Sequence, residues 1–167
     1  QMLERFVFRY KIVVDAHIGA ATSVYHQHAV NIRTDPAAYQ VKTLQLALRK
    51  LLQDHADDPR FRGRLEEMRY TKSANNKNIK YFVMTLEHYA RWFNAGAAGK
   101  PKCLDKSRVF DFSNATIEHV YPQNAQPADA ALEPLIDTLG NLTFLGPGDN
   151  DAAGNKVFAQ KKLVLAN

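Results

Sequence analysis

A chain of 167 residues, 46% of them hydrophobic, can bury one ordinary core or one core with a small satellite, and not two full-sized domains. Cys103 is the only cysteine, which excludes an internal disulfide and the paired-cysteine knuckles of a structural zinc, so any metal would have to use oxygen or imidazole ligands. No run approaches the roughly eighteen consecutive apolar residues of a membrane span, and the N-terminus lacks the basic-then-apolar pattern of a signal peptide. The expectation is a soluble, cytoplasmic protein without a membrane partner. Because it opens at Gln1 directly in helix-like sequence, it also reads as a piece of something longer. The formal net charge of +5 is unevenly spread: residues 1–108 carry nineteen Lys and Arg against ten Asp and Glu, and residues 109–167 carry three against seven. A cationic part can attract a polyanion, and it can equally be a solvated helical surface.

In chain order, Leu3, Phe6, Val7, Tyr10, Val13 and Val14 follow the three-and-four spacing of an amphipathic helix that runs to about Ile18. Asp35-Pro36 reads as a cap and first-turn proline opening a second helix, with Tyr39, Leu44, Leu48, Leu51 and Leu52 inward, that ends before Asp57-Asp58-Pro59. A short helix is expected over Phe61–Tyr70. A longer one is expected over Ile79–Phe93, with Phe82, Val83, Leu86, Tyr89, Ala90 and Phe93 on one face. Gly96, Gly99 and Pro101 then break the helical period and mark a connection. Beyond it the pattern changes to a strand within Val109–Tyr121, a short strand over Asn141–Leu145, and a final helix over Gly154–Leu165 with Val157, Phe158 and Leu163 inward. The predicted fold is therefore α+β and mostly α, with a helical segment over 1–108 and a strand-strand-helix module over 109–167. No internal repeat or low-complexity tract is present.

Three segments carry chemistry. The first is Thr116-Ile117-Glu118-His119-Val120-Tyr121-Pro122-Gln123, where a carboxylate directly precedes a histidine and a proline soon ends regular pairing. The second is Leu139-Gly140-Asn141-Leu142-Thr143-Phe144-Leu145, and the third is Gly148-Asp149-Asn150 followed by Asn155-Lys156-Val157-Phe158 and Lys161-Lys162. Singly each has an ordinary reading: a hydrogen-bonded structural histidine, a turn at Gly140-Asn141, a helix cap at Asn150-Asp151 and a solvated helix end at Lys161-Lys162. His26 and His28, with His17 nearby, lack acidic neighbours and do not read as a metal cluster.

Taken in order, the segments resemble the His-Me finger (HNH-like) nucleases, most closely the C-terminal nuclease domain of the GmrSD-type restriction endonucleases. That pattern runs acidic-His-hydrophobic-x-Pro-Gln, Leu-Gly-Asn-Leu-x-Leu, then an Asn, a nearby Asn, Phe and Lys. The resemblance covers Ala115–Lys162 most closely, and more loosely Phe6–Tyr10 and Ile79–Glu87. The HNH domain of RNA-guided DNA nucleases likewise pairs an acidic residue with the His and uses a later Asn. The resemblance implies a ββα-metal finger that cleaves DNA to 5′-phosphate and 3′-hydroxyl ends, a role in restriction and antiviral defence, and an upstream nucleotide-hydrolysing domain. No GxxxxGK[ST] phosphate loop is present here. It further implies that Asn141 braces the loop carrying the base, and that Asn155 and Lys161 lie near metal or phosphate.

Chemistry supports the grouping. A phosphodiester repels its attacking oxygen, so a catalyst needs a base for water and a cation for the charge on the leaving oxygen. His119 suits the base, with one ring nitrogen accepting and the other oriented by a backbone carbonyl. Glu118 and Asn150 offer the hard oxygens that Mg²⁺ prefers, Mn²⁺ being an alternative, with waters and phosphate completing the shell. Adjacent strand residues point to opposite faces, so Glu118 and His119 converge only if the strand bends. Arg62, Arg64 and Lys77 lie in the densest basic stretch, Arg60–Lys80, and together with Lys156 are candidates for phosphate contact. Two rival classes stand beside a DNA endonuclease: a non-catalytic nucleic-acid- or protein-binding module, and an RNase.

Overall fold

The structure is a computed structural model that describes residues 2–72, 76–100 and 114–165. By contacts the chain divides into two units, Gln1–Glu67 and Met68–Asn167. The expected boundary after residue 108 lies outside the described residues. Secondary structure is mostly helical with one small antiparallel sheet, the α+β class expected. Among the described residues no helix is long and apolar enough to cross a membrane.

In the first unit, α1 (Met2–Val7) runs straight into a π-helical turn, Phe8–Val13, in which Val14 N donates to Arg9 O, five residues back, at 3.1 Å. The wider turn ends at Asp15, whose positive φ of 53° is one that Asp tolerates better than most residues. The single helix expected to reach Ile18 is therefore broken. Of its predicted inward face, Phe6, Tyr10, Val13 and Val14 are buried, while Leu3 and Val7 are exposed. Phe6 and Tyr10 stack at 4.9 Å, and together with Ala21, Leu48, Leu51 and Ala56 they form the core of this unit.

Helix α2 (Ile18–Thr34) has no counterpart among the expected elements. Its apolar residues are distributed around the axis and only Ala21 is buried, so it shows no stripe for periodicity to detect. Asp35-Pro36 does not open a helix: Asp35 Oδ1 accepts from Ala38 N at 3.0 Å in a turn, and α3 (Val41–His55) starts later. The expected end before Asp57 holds. In α4 (Asp58–Glu67), Asp57 Oδ1 caps Arg60 N at 3.0 Å.

The second unit centres on β1 (Thr116–His119) and β2 (Leu142–Leu145), paired antiparallel with Glu118 opposite Thr143 and His119 opposite Leu142. Helix α5 (Lys77–Asn94) packs on β2 and buries Ile79, Val83, Met84 and His88, whereas the expected inward residues Leu86 and Phe93 are exposed. The helix is strongly amphipathic, but the residues it buries, Ile79, Val83, Met84 and His88, lie toward one edge of its apolar stripe, so contact with the sheet, and not periodicity, selects the buried face. Ile79, Val83 and Leu142 form the core, with Tyr70, Ile117, Leu139 and Phe144 around them. After β2 come α6 (Pro147–Ala153), which packs on both strands, and α7 (Phe158–Leu165), which packs on α6. The final helix expected over Gly154–Leu165 corresponds to α7, which starts later, at Phe158, and α6 has no counterpart among the expected elements. Val157, Phe158 and Leu163, expected inward, are exposed.

Tyr10 generates a prediction. Its hydroxyl donates to His17 O at 3.0 Å from within the core, and burial raises its pKa above the ordinary 10.0. The unfolded chain then ionises this tyrosine first, so its share of stability is complete below about pH 10 and is lost as pH climbs through the higher folded value. Tyr10→Phe should cost about 1 kcal/mol at neutral pH and should lessen the alkaline loss of stability. Tyr25, raised by burial in the same way, keeps the remainder. Urea unfolding of both proteins at about pH 7 and about pH 10.5 checks the slope.

Candidate active site

The second unit brings the three motif segments together. Strand β1 ends in Glu118 and His119, both buried, at 9% and 7% exposure. Immediately after it, Val120 N donates to Asn141 O at 2.9 Å, so the backbone remains tied to the second motif where the strand stops. The Asn141 side chain then makes three bonds: Oδ1 accepts from Tyr121 N at 2.7 Å, and Nδ2 donates to Tyr121 O at 3.0 Å and to Ile136 O at 2.8 Å. One amide thereby clamps the residue two places beyond His119 to the segment that precedes Asn141. An isolated Asn in a Gly-Asn pair would commonly shape its own turn. This one holds two other segments.

The His119 ring is gripped at Nε2. Asp137 Oδ1 lies 3.1 Å from it and Gln123 Nε2 lies 3.4 Å from it. Tyr70 meets the ring edge-to-face at 4.8 Å between centroids. The backbone carbonyl expected to orient this histidine is replaced by the carboxylate of Asp137. Among the described residues Nδ1 has no hydrogen-bond partner.

Sequence reading passed over Asp137 and Tyr70. The first is only an acid four residues before Asn141, and the second reaches the site because Tyr70 N donates to Asp137 O at 2.8 Å and Arg69 bridges to Thr138. Neither feature has a sequence signature.

Glu118 has a different partner. Its Oε1 accepts from the ammonium of Lys161, which also donates to His119 O at 2.6 Å. Lys161 is 1% exposed. Expected near metal or phosphate, this cation is spent on the strand end. Glu118 and His119 thus share no side-chain partner, as befits neighbours on a regular strand. Oε2 of Glu118 takes no hydrogen bond among the described residues.

Asn150 lies inside α6, where its own N donates to Gly146 O and its carbonyl accepts from Gly154 N, each at 2.9 Å, so it is not a cap. Its side-chain Oδ1 is buried and has no hydrogen-bond partner among the described residues. Asn155 and Lys156 are exposed between α6 and α7, and Lys77 is exposed at the start of α5. Arg62 and Arg64 belong to α4 of the first unit, where Arg64 pairs with Glu67 at 2.9 Å. No metal cluster forms at the early histidines: His17 Nδ1 accepts from Gly19 N at 3.3 Å and His28 Nδ1 contacts the Tyr39 hydroxyl at 2.9 Å. Among the described residues no three His, Cys, Asp or Glu side chains gather to hold an ion. A cation here would rest on fewer protein ligands.

The model of the GmrSD restriction endonucleases' C-terminal domain matches residues 55–167, which takes in all three motif segments. The chain belongs to this family. No curated protein matches it. Membership of the GmrSD C-terminal family gives the chain a restriction-endonuclease-related role. The match begins at His55, so it reaches back through α4 into the first unit of this GmrSD domain.

The buried ion pair yields a prediction. Removing one partner of such a pair leaves an uncompensated charge, whereas removing both is far milder. Lys161→Met should destabilise the second unit by about 3–5 kcal/mol. Adding Glu118→Gln should recover part of that loss. Urea unfolding of the wild type, the single variants and the double variant, read as a double-mutant cycle, checks the coupling.

Proposed function

We propose that this GmrSD C-terminal domain is a metal-dependent DNA endonuclease of the His-Me finger kind, built on β1, β2 and the helices after them. His119 accepts the proton of an attacking water, and Asn141 holds the loop that leaves His119 in place. The observation that carries the reading is Asn150 Oδ1. A buried carbonyl oxygen without a partner costs about 1–3 kcal/mol, and this one sits on the helix that packs across both strands. Such an oxygen is suited to a ligand. Together with Glu118 it would hold Mg²⁺, or Mn²⁺, through hard donors, with water and phosphate oxygens completing the shell. When bound, the ion would stabilise the charge that builds on the leaving 3′ oxygen.

Lys156 and Asn155, exposed beside the motif, and Lys77 are available to backbone phosphates. Arg62 and Arg64 of the first unit would add sequence-independent attraction, and Lys161 would act indirectly through Glu118. A role in restriction and antiviral defence, downstream of a nucleotide-hydrolysing domain, fits a nuclease with little selectivity of its own.

A second reading, a finger kept without turnover, draws on two observations: Glu118 already holds an ammonium, and the His119 ring is nearly covered. Nicking of supercoiled plasmid with Mg²⁺ or Mn²⁺ separates the two. The wild type should nick, chelation with EDTA should stop it, and His119→Ala should lower the rate by about 10²–10⁴-fold. Equal rates for wild type and His119→Ala would remove the nuclease assignment. Matched RNA digested in parallel should survive longer than DNA; preferential loss of the RNA would make the domain an RNase.

A further inference from the structure

Two neighbours of His119 Nε2 make opposite demands. The Asp137 carboxylate at 3.1 Å can only accept, so it needs a proton on Nε2. The Gln123 amide nitrogen at 3.4 Å can only donate, so it needs a lone pair there. Distance and charge decide between them. The carboxylate contact lies within the ordinary N–H···O range and is charge-assisted, whereas the amide contact lies at the outer edge of any hydrogen bond. Turning the amide of Gln123 presents its oxygen instead and removes the conflict.

We infer that Asp137 is the positioning residue of His119: its carboxylate holds the proton on Nε2 and leaves Nδ1 as the ring nitrogen that faces water. This assignment rests on the nuclease reading of the site for its consequence, and on geometry for itself. The backbone at Asp137 is held at two successive carbonyls. Its carbonyl accepts from Tyr70 N at 2.8 Å, and Tyr70 in turn stands edge-on against the ring at an interplanar angle of 88°. Its preceding residue, Ile136, is bonded through O to the clamp amide of Asn141. The ring therefore has one orientation supported from three directions, and its remaining nitrogen has no protein partner among the described residues. Asp137 itself is 45% exposed, so the contact adds little to stability and acts on the ring.

The ring proton can be read without turnover. Long-range ¹⁵N–¹H correlation of the six histidines in the metal-free full chain, with His119 assigned by its loss in His119→Ala, reports which nitrogen carries hydrogen. At about pH 8, where an ordinary imidazole is neutral, the wild type should show the Nε2–H form. Asp137→Asn is isosteric and can donate from its own amide, so the Nδ1–H form should appear. Asp137→Glu should retain the wild-type pattern. A wild-type ring protonated on Nδ1, or an Asn variant with an unchanged spectrum, would overturn the assignment.

Plasmid nicking by the same proteins adds the consequence. Asp137→Asn should lower kcat by about 10²–10⁴-fold, as a wrong tautomer does to a histidine base. KM should stay within a few-fold, and Asp137→Glu should recover activity. Unchanged kcat in Asp137→Asn, beside a shifted ring proton, would overturn Asp137 as a positioning residue. A wild type that never nicks would defeat the nuclease reading instead, and the ring spectra would still decide where Asp137 places the proton.

Discussion

The ammonium of Lys161 is the junction on which the candidate site depends. Buried between α7 and the end of β1, it answers the carboxylate of Glu118 and the carbonyl of His119 at once. Withdrawing two charges from water costs several kcal/mol per ion, and their attraction in the interior roughly returns it, so the pair is a poor source of net stability. Its effect is geometric. Only a rotation of α7 that points position 161 at the strand brings a cation to both acceptors, and the same rotation turns Leu163, two residues further on, outward. An uncompensated buried carboxylate costs about 3–5 kcal/mol, more than the about 1.5–3 kcal/mol that fully burying one such apolar side chain would return.

A second constraint is the side chain of Asn141. Strand β1 is only four residues long, and a two-stranded sheet of that size has little hold on the residues beyond its end. Three hydrogen bonds from one amide tie Tyr121 to Ile136, and therefore place the residues on either side of the clamp, His119 and Asp137, within reach of one another. Tyr70 joins the same group because residues 69–70 pair with 137–138. The imidazole is thus oriented by the segment 136–138, directly before the second motif in sequence and clamped by its Asn141.

These contacts divide the motif into groups with different tasks. Lys161 and Glu118 set the strand end, while Asn141, Asp137 and Tyr70 set the ring. Asn150 keeps a buried side-chain oxygen without a hydrogen bond among the described residues. The division follows from their separate partners, Lys161 at the Glu118 carboxylate and Asp137 at the His119 ring. It also accounts for the pattern of exposed and hidden basic groups: Lys161 is committed internally, whereas Lys156 and Lys77 remain exposed.

The sequence by itself determined the element types wherever spacing carried the signal. The helices containing Leu48 and Val83, the strands on either side of Gly140, and the family to which the ordered Glu118-His119, Gly140-Asn141 and Asn150 segments belong were all legible. These features are local, or depend on order along the chain. It did not reveal α2, whose apolar residues form no stripe, nor the short helix α6, nor the break at Asp15. Tertiary structure alone decided which stripe of α5 faces the sheet, that the interior of α7 is a lysine, and that a carboxylate orients His119. Each is a choice among chemically reasonable partners far apart in sequence, Lys161 with Glu118 or Asp137 with His119. Such choices are made by three-dimensional proximity and by the cost of leaving a buried polar group alone, neither of which has a period along the chain.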